Sequence, residues 1–337
     1  MSYRVTLFCT LLALLFPALG SAQEPVKPQS INHKEAFMAW RDAFRVKALK
    51  EGITPETFDA VFKNIKEPRA RVFKLDRNQP EFKTTYNDYH KKRVIPNKRR
   101  GKKLKHAHAP LLQRIAEKYH VPAHFILALW GIETRYGGNM GSFDVVPALA
   151  SLAYEGRRRA LFERELISVM HIHQKGYMPV TEMKGSWSGA MGQCQFMPSS
   201  YLSYAVDEDA DGRRDIWQSI PDIMGSIANY LRCIGWKENQ PWGVEVTLPA
   251  GFDQTLIGLD KKNTVAAWMA QKVHPTRSLE KGEGTLVGSL IQVPGENFDE
   301  KRTFMVYDNF KNILNWNRSY IFAVAVGQLS DHLKGEQ

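Results

Sequence analysis

Apolar residues recur at three- and four-residue intervals along most of this chain, and strand-like patterns are confined to its last third. In "KEAFMAWRDAFRVKALKEG", Phe37, Trp40, Phe44 and Ala48 fall at helical spacing, and Gly52 ends the segment. A second helix is predicted in "TPETFDAVFKNI", with Thr54 as its cap and Pro55 at its first position. Helical patterns continue through 110–136, where Pro122 lies near the start of the helix that carries Glu133, and again through 157–175 and 219–235. Strands are predicted in "GVEVTL" at 243–248, "TLVGSLIQV" at 285–293 and "RTFMVY" at 302–307. The apolar "YIFAVAVGQLSDHL" reads as a closing helix. The pattern predicts a mainly α protein with a small β part inserted before the last helix.

Length and composition narrow this picture. The chain has 337 residues, which suits one large or two closely packed domains, and its 43% hydrophobic and 24% charged residues are those of a globular protein. Residues 1–22, "MSYRVTLFCTLLALLFPALGSA", have the layout of a cleavable signal peptide and are short for a membrane span. Export with cleavage near Ala22 is expected. Cys9 lacks the small residues that precede a lipidated cysteine, so no lipid anchor is indicated. Export leaves Cys194 and Cys233, which an oxidising compartment permits to pair; two free thiols are the equal alternative.

The formal net charge is +11, and nine cations lie between Lys91 and Lys105 with no acid among them. That run is either a solvated, mobile segment or a patch for polyanions. For an exported protein the polyanion is an anionic cell wall or membrane surface, and nucleic acid is not expected.

Three stretches carry candidate chemistry. In "LALWGIETRYG", Glu133 follows an almost continuous apolar run from Phe125 to Ile132. A carboxyl so placed is expected to lose hydration, which raises its pKa and suits a general acid. In "GSWSGAMGQCQFMPSSYLSYA", Gly185, Gly189 and Gly192 leave room for close backbone approach to a ligand. Ser186, Gln193 and Gln195 there supply neutral donors and acceptors, although a plain glycine-rich turn has the same composition. In "DEDADGRRDIW", Asp207, Asp209 and Asp211 occupy positions 1, 3 and 5 of an EF-hand-like loop, with Gly212 at 6. Gln218 stands where that loop needs a bidentate Glu, so a structural Ca²⁺ site is favoured over a switch, and a capped acidic turn is the alternative. No HExxH, P-loop or dinucleotide fingerprint is present. Aromatics such as Tyr230 and Trp316 are core material or faces on which sugar rings stack.

The blocks "GIETRYG", "SWSGAMGQCQFMPSSYLSYAVD", "DGRRDIW" and "IPDIMGSIANYL", with "FDVVPALASLAYEGRRRALFEREL" and "NWNRSYIFAVAVGQL", resemble the lytic murein transglycosylase B family of bacterial cell-wall enzymes. The resemblance covers most of residues 30–335. It implies a lysozyme-like α domain at 111–240 that holds a calcium loop at 207–222. A helical N-terminal region at 23–110 precedes it, and a small α/β lobe with the C-terminal helix follows at 241–337. It implies periplasmic cleavage of the β-1,4 bond between N-acetylmuramic acid and N-acetylglucosamine without water, giving 1,6-anhydromuramyl ends. Glu133 falls on the family's catalytic glutamate; Ser186, Gln195, Tyr230, Asn317 and Tyr89 fall on its glycan groove. Asp207, Asp209, Asp211, Asp222 and the carbonyl of Arg213 fall on its calcium loop, and no cofactor is implied for catalysis. Partners implied are peptidoglycan glycan strands and wall-synthesis proteins, with the chain acting as a monomer.

Two departures from that pattern stand out. Trp316 and Phe322 replace tyrosines, so hydroxyl contacts are expected to be lost there, and Cys194 beside Gln195 suggests an oxidation-sensitive site. A glycosidase ordinarily needs two carboxylates. The matched motifs offer one, which suffices if the substrate's own C6 hydroxyl attacks C1. A hydrolytic muramidase and a catalytically silent glycan-binding scaffold are the competing readings.

Overall fold

The computed structural model describes residues 33–78 and 84–335; the expected signal segment lies outside the described residues. Helix α1 (His33–Lys50) buries the predicted face of Phe37, Trp40, Phe44 and Ala48, each large side chain contributing about 1.5–3 kcal/mol. Helix α2 (Pro55–Phe62) starts where expected, with the Thr57 N–H donating to Thr54 Oγ1 at 3.2 Å. Helix α3 (Ala70–Arg77) leads to α4 (Tyr86–Tyr89), which runs without a break through a π-helical turn, His90–Val94, into α5 (Ile95–Ala107). The basic stretch is therefore an ordered helix and not a mobile segment. Its inner side buries Val94, Asn97 and Gly101, which outweighs the repulsion among its cations.

Helices α6 (Ala109–Tyr119) and α7 (Ala123–Thr134) follow. Helix α7 is apolar on every side and buried along most of its length, as a central helix must be. Strand β1 (Phe143–Asp144), α8 (Val145–Glu155), α9 (Arg159–Gln174), β2 (Lys184–Gly185), α10 (Pro198–Tyr204) and α11 (Ile220–Cys233) complete the helical body. One apolar core runs through it from Phe37 to Leu333. Glu163 links α9 to α1 by accepting from Trp40 Nε1 at 3.1 Å and pairing with Lys47 at 2.9 Å.

The β part consists of β3 (Gly243–Thr247), β4 (Lys262–Thr264), helix α12 (Val265–Ala270), β5 (His274–Pro275), β6 (Val287–Pro294) and β7 (Lys301–Val306). The five strands form an antiparallel sheet in the order β4-β6-β7-β3-β5. Strand alternation divides its residues between two cores. Val244, Leu290 and Met305 pack with Trp268 in a small local core, while Ile291, Val293, Phe304 and Val306 face the helical body. Strands β4 and β5 escaped sequence detection because two or three residues carry no periodicity. Helix α13 (Asp308–Trp316) and helix α14 (Tyr320–Lys334) then return the chain to the body, where α14 packs on α7. The fold is mainly α with a small antiparallel lobe, as expected. Among the described residues, no helix is long and apolar enough to cross a membrane.

Candidate active site

Glu133 sits in the last turn of α7, and the chain breaks sharply behind it. Arg135, Tyr136 and Gly137 adopt left-handed backbone angles in succession, with φ of 54°, 57° and 82°. This reversal folds the Tyr136 ring back over α7, where a Cβ on Gly131 would clash with it. Asn97 on α5 locks the arrangement: its side-chain amide donates to the carbonyls of Gly131 at 2.8 Å and Arg93 at 2.7 Å, and its own carbonyl accepts from Tyr136 Oη. Thr134 completes the anchor by donating to the Gln193 carbonyl at 3.0 Å. The Glu133 carboxyl is thereby held on a rigid base.

Its surroundings bear out the expectation of lost hydration. Glu133 keeps a partly open face, yet protein atoms crowd its carboxyl, and this desolvation pushes its pKa up to about 7. Two neighbours oppose the rise: the Trp316 indole N–H, which donates to Oε1 at 2.7 Å, and the Arg93 guanidinium. Trp316 thus supplies a donor where loss of a hydroxyl contact was expected. The acids nearest downstream are engaged elsewhere. Asp144 pairs with Lys184 on the exposed β1–β2 ladder, and Glu155 faces Arg77 at 3.9 Å. Among the described residues, no second carboxyl is among the groups that shift Glu133.

The glycine-rich segment forms one wall. Short bridges from Gly185 to Met191 and from Met191 to Phe196 extend the β1–β2 ladder. Ser186 Oγ accepts from the Ala190 N–H at 3.0 Å and lies 3.0 Å from Ser188 Oγ. The glycines are needed for the protein's own packing: a Cβ on Gly185 would strike the Ala190 carbonyl oxygen, and one on Gly189 would strike Leu149. Gln193 and Gln195 have opposite fates. Buried Gln193 accepts from Trp130 Nε1 at 2.8 Å and donates to the Trp217 carbonyl at 2.7 Å, so both ends of its amide are used. Gln195, at φ 50°, turns outward; its amide nitrogen donates to the carbonyls of Met140 at 3.0 Å and Gly192 at 2.9 Å, leaving its carbonyl oxygen to accept from a ligand.

An aromatic cluster adjoins this segment. Trp316 packs against Tyr230, with ring centroids 4.6 Å apart, and against Phe196 at 5.2 Å. The Tyr230 hydroxyl donates to the Asn315 carbonyl at 3.0 Å and its ring is buried among Tyr204, Phe196 and Trp316, so this residue backs Trp316 and presents little surface of its own. Asn317 ends α13, exposed, with its Oδ1 accepting from the Ser319 N–H at 3.0 Å. Tyr89 is half-buried at the entry to the π-helical turn that carries Arg93, a type of irregularity often found at functional sites. Sequence reasoning missed Arg93 and Asn97, whose partners lie far off in the chain with no local signal to mark them; it picked out Gln193 as a donor and acceptor but not its buried structural role.

The acidic loop brings one carboxylate oxygen from each of Asp207, Asp209 and Asp211 within 4.8 Å of one another. Gly212 turns with φ 89°, as the loop pattern requires. Asp207 accepts from the N–H groups of Asp211 and Gly212, and the Arg213 N–H donates to Asp211 at 2.8 Å. Asp222 stands outside this group, contrary to its expected role as a ligand. Its buried oxygens accept from the N–H groups of Glu208 and Asp215, each at 2.7 Å, so it ties the two ends of the loop together. Cys194 and Cys233 are free, the first buried and the second exposed. Burial, with Glu133 and Asp222 nearby, pushes the Cys194 thiol well up, so its expected sensitivity to oxidation is not supported.

A mainly helical, lysozyme-like body with one desolvated glutamate at the end of its central helix defines a class of glycan-processing folds. Residues 36–331 match the Transglycosylase SLT domain, and the chain belongs to that family. It is 32% identical over 248 residues to the membrane-bound lytic murein transglycosylase B of Escherichia coli, a match covering 72% of this chain. The matched region spans 65% of that relative's length. Among solved structures, SltB3 from Pseudomonas aeruginosa in complex with NAG-NAM-pentapeptide superposes with a TM-score of 0.82 and 41% identity, covering 89% of this chain and 80% of that one. The Escherichia coli lytic transglycosylase Slt35 in complex with calcium gives 0.74 and 27%, covering 92% and 98%.

Proposed function

We propose that this protein is a lytic transglycosylase that cleaves the β-1,4 bond between N-acetylmuramic acid and N-acetylglucosamine in peptidoglycan, leaving 1,6-anhydromuramyl ends. The observation that carries the reading is the single Glu133 carboxyl with its pKa pushed up to about 7. Such a group is substantially protonated at neutral pH and still able to ionise, which suits an acid that must then become a base. With Oε1 engaged by Trp316, the proton is left to Oε2. Glu133 gives it to the departing glycosidic oxygen as the bond to C1 breaks. The muramyl C6 hydroxyl then attacks C1 and returns its proton to Glu133. An intramolecular nucleophile has a high effective molarity, so no second carboxylate is required.

The outward carbonyl oxygen of Gln195 and the Ser186 hydroxyl are assigned to the sugar's amide and hydroxyl groups. The rings of Trp316 and Tyr89 are assigned to its apolar faces, with Tyr230 supporting Trp316 from behind, and Asn317 to the far rim. The three carboxylates of Asp207, Asp209 and Asp211 form a hard, all-oxygen donor set of the kind Ca²⁺ prefers, with the Arg213 carbonyl as a fourth ligand. In this reading the ion fixes the loop and takes no part in catalysis. Export to the periplasm, action as a monomer and contact with wall-synthesis proteins belong to the same proposal.

Mass spectrometry of the products released from purified sacculi tests it. Anhydro-muropeptides are expected from the wild type, and Glu133→Gln should lower their release by roughly 10²–10⁴-fold. Reducing muropeptides would instead mean that water attacks, and equal rates for both proteins would remove Glu133 from the chemistry.

A further inference from the structure

The outer side of the basic helix remains unused by this mechanism. Opposite the buried Asn97 and Gly101, the helix turns Lys91, Ile95, Arg99, Lys102, Lys103 and His106 to solvent. Lys91, Ile95, Arg99 and Lys103 follow one another at four-residue intervals, so they form a stripe and not a scatter. Among the described residues, Lys91, Arg99, Lys102 and Lys103 have no ion-pair partner, and the stretch 91–105 contains no acid.

The stripe begins on the π-helical turn beside Glu133. Arg93, on the same π-helical turn, acts on Glu133, and Arg135, two residues beyond Glu133, donates to the Lys92 carbonyl at 3.4 Å. Arg100 is drawn the same way, donating to the Tyr136 carbonyl at 3.1 Å. From there α5 carries unpaired positive charge away from the site over roughly 20 Å.

We propose that this cationic stripe is a docking surface for the carboxylates of the peptides borne by the glycan strand, in addition to the glycan groove itself. The inference rests on the peptidoglycan reading and deepens it, since a peptide attached beside the cleaved bond leaves the cleft with its acidic groups exposed. One exposed ion pair is worth little, but several cations spaced along a helix act together and concentrate a polyanion near the site. A phospholipid surface has the same charge, but the stripe offers it one apolar side chain, Ile95 at 51% exposure, too little to insert.

The test uses Glu133→Gln protein, which reads docking without turnover, with and without Lys91→Gln, Arg99→Gln, Lys102→Gln and Lys103→Gln together. Cosedimentation is measured in low salt with purified sacculi and with sacculi whose carboxylates have been amidated by carbodiimide and a neutral amine. The four substitutions are expected to weaken binding to native sacculi by roughly tenfold. They should leave binding to amidated sacculi unchanged, and the difference should vanish in high salt. In the active background the same four changes should raise KM and spare kcat. Equal binding by both proteins to native sacculi would overturn the proposal, as would an equal loss on amidated sacculi. So would charge-dependent binding to phosphatidylglycerol vesicles with sacculus binding unaffected. Charge-dependent docking without anhydro products from the active enzyme would sink the transglycosylase reading and leave docking standing.

Discussion

The indole nitrogen of Trp316 donates to Oε1 of Glu133 at 2.7 Å, joining the end of α13 to the end of α7 across 183 residues of sequence. This bond favours the carboxylate and restrains the rise in pKa that burial imposes. Trp316→Phe keeps a ring against Phe196 and Tyr230 but removes the donor. The Glu133 pKa should then move above about 7, and the basic limb of the kcat/KM pH profile should shift to higher pH. Because the carboxyl also loses an orienting contact, kcat should fall by roughly tenfold or more. Trp316→Tyr, which returns a donor, should recover part of that loss. An unmoved basic limb in Trp316→Phe would show that the indole does not tune Glu133.

Gln193 makes a different kind of contribution. Its amide lies between Trp130 and the Trp217 carbonyl, and its backbone carbonyl receives the Thr134 hydroxyl. Gln193→Leu has similar bulk but leaves a buried indole N–H and a buried carbonyl without partners, at a cost of about 1–3 kcal/mol each. Denaturant unfolding should show a loss of stability of about 2–6 kcal/mol for the two groups together. Because the same residue anchors Thr134, the neighbour of Glu133, activity should fall even where the variant remains folded.

How legible the site was follows from where each signal lies. The faces of α1 and α2 were readable because burial follows a local period, and Glu133 was readable because an isolated carboxyl after an apolar run is locally conspicuous. Gln193 and Gln195 were indistinguishable in the sequence; the left-handed backbone at Gln195 sends one amide inward and the other outward. The basic run was left between a mobile segment and a binding patch because its charges are local, whereas the contacts that fold it, from Asn97 to Gly131 and from Tyr136 to Asn97, are not. Trp316 was recognised as a departure from a pattern. Its effect was misjudged, since an indole can donate from a place where a phenol is absent.

The acidic loop predicts a stability effect separable from catalysis. If Ca²⁺ binds the folded chain alone, a hundredfold excess over Kd adds about 2.7 kcal/mol. The melting temperature should rise with Ca²⁺ and fall back with a chelator, and Asp209→Asn should blunt the response. Asp222→Asn should behave differently, lowering stability with and without Ca²⁺, because Asp222 bonds to backbone N–H groups and lies outside the cluster. A melting temperature indifferent to Ca²⁺ would return the loop to a capped acidic turn.

Glu133 also links stability to pH, and the sign follows from the direction of its shift. Its pKa rises from 4.5 to about 7 on folding, so between those values the native state holds a proton that the unfolded chain has released. Stability from this group is therefore full below about 4.5 and is lost as pH rises through about 7, by roughly 3 kcal/mol for a shift of this size. Glu133→Gln replaces the ionising group by a neutral one of the same shape. It should match the wild type in stability at pH 4 and exceed it at pH 8, with the gap opening between those limits. Thermal unfolding of both proteins across that range measures the gap directly. A constant difference would mean that the carboxyl is hydrated in the native state, and the mechanism would lose its reason for a neutral-pH acid.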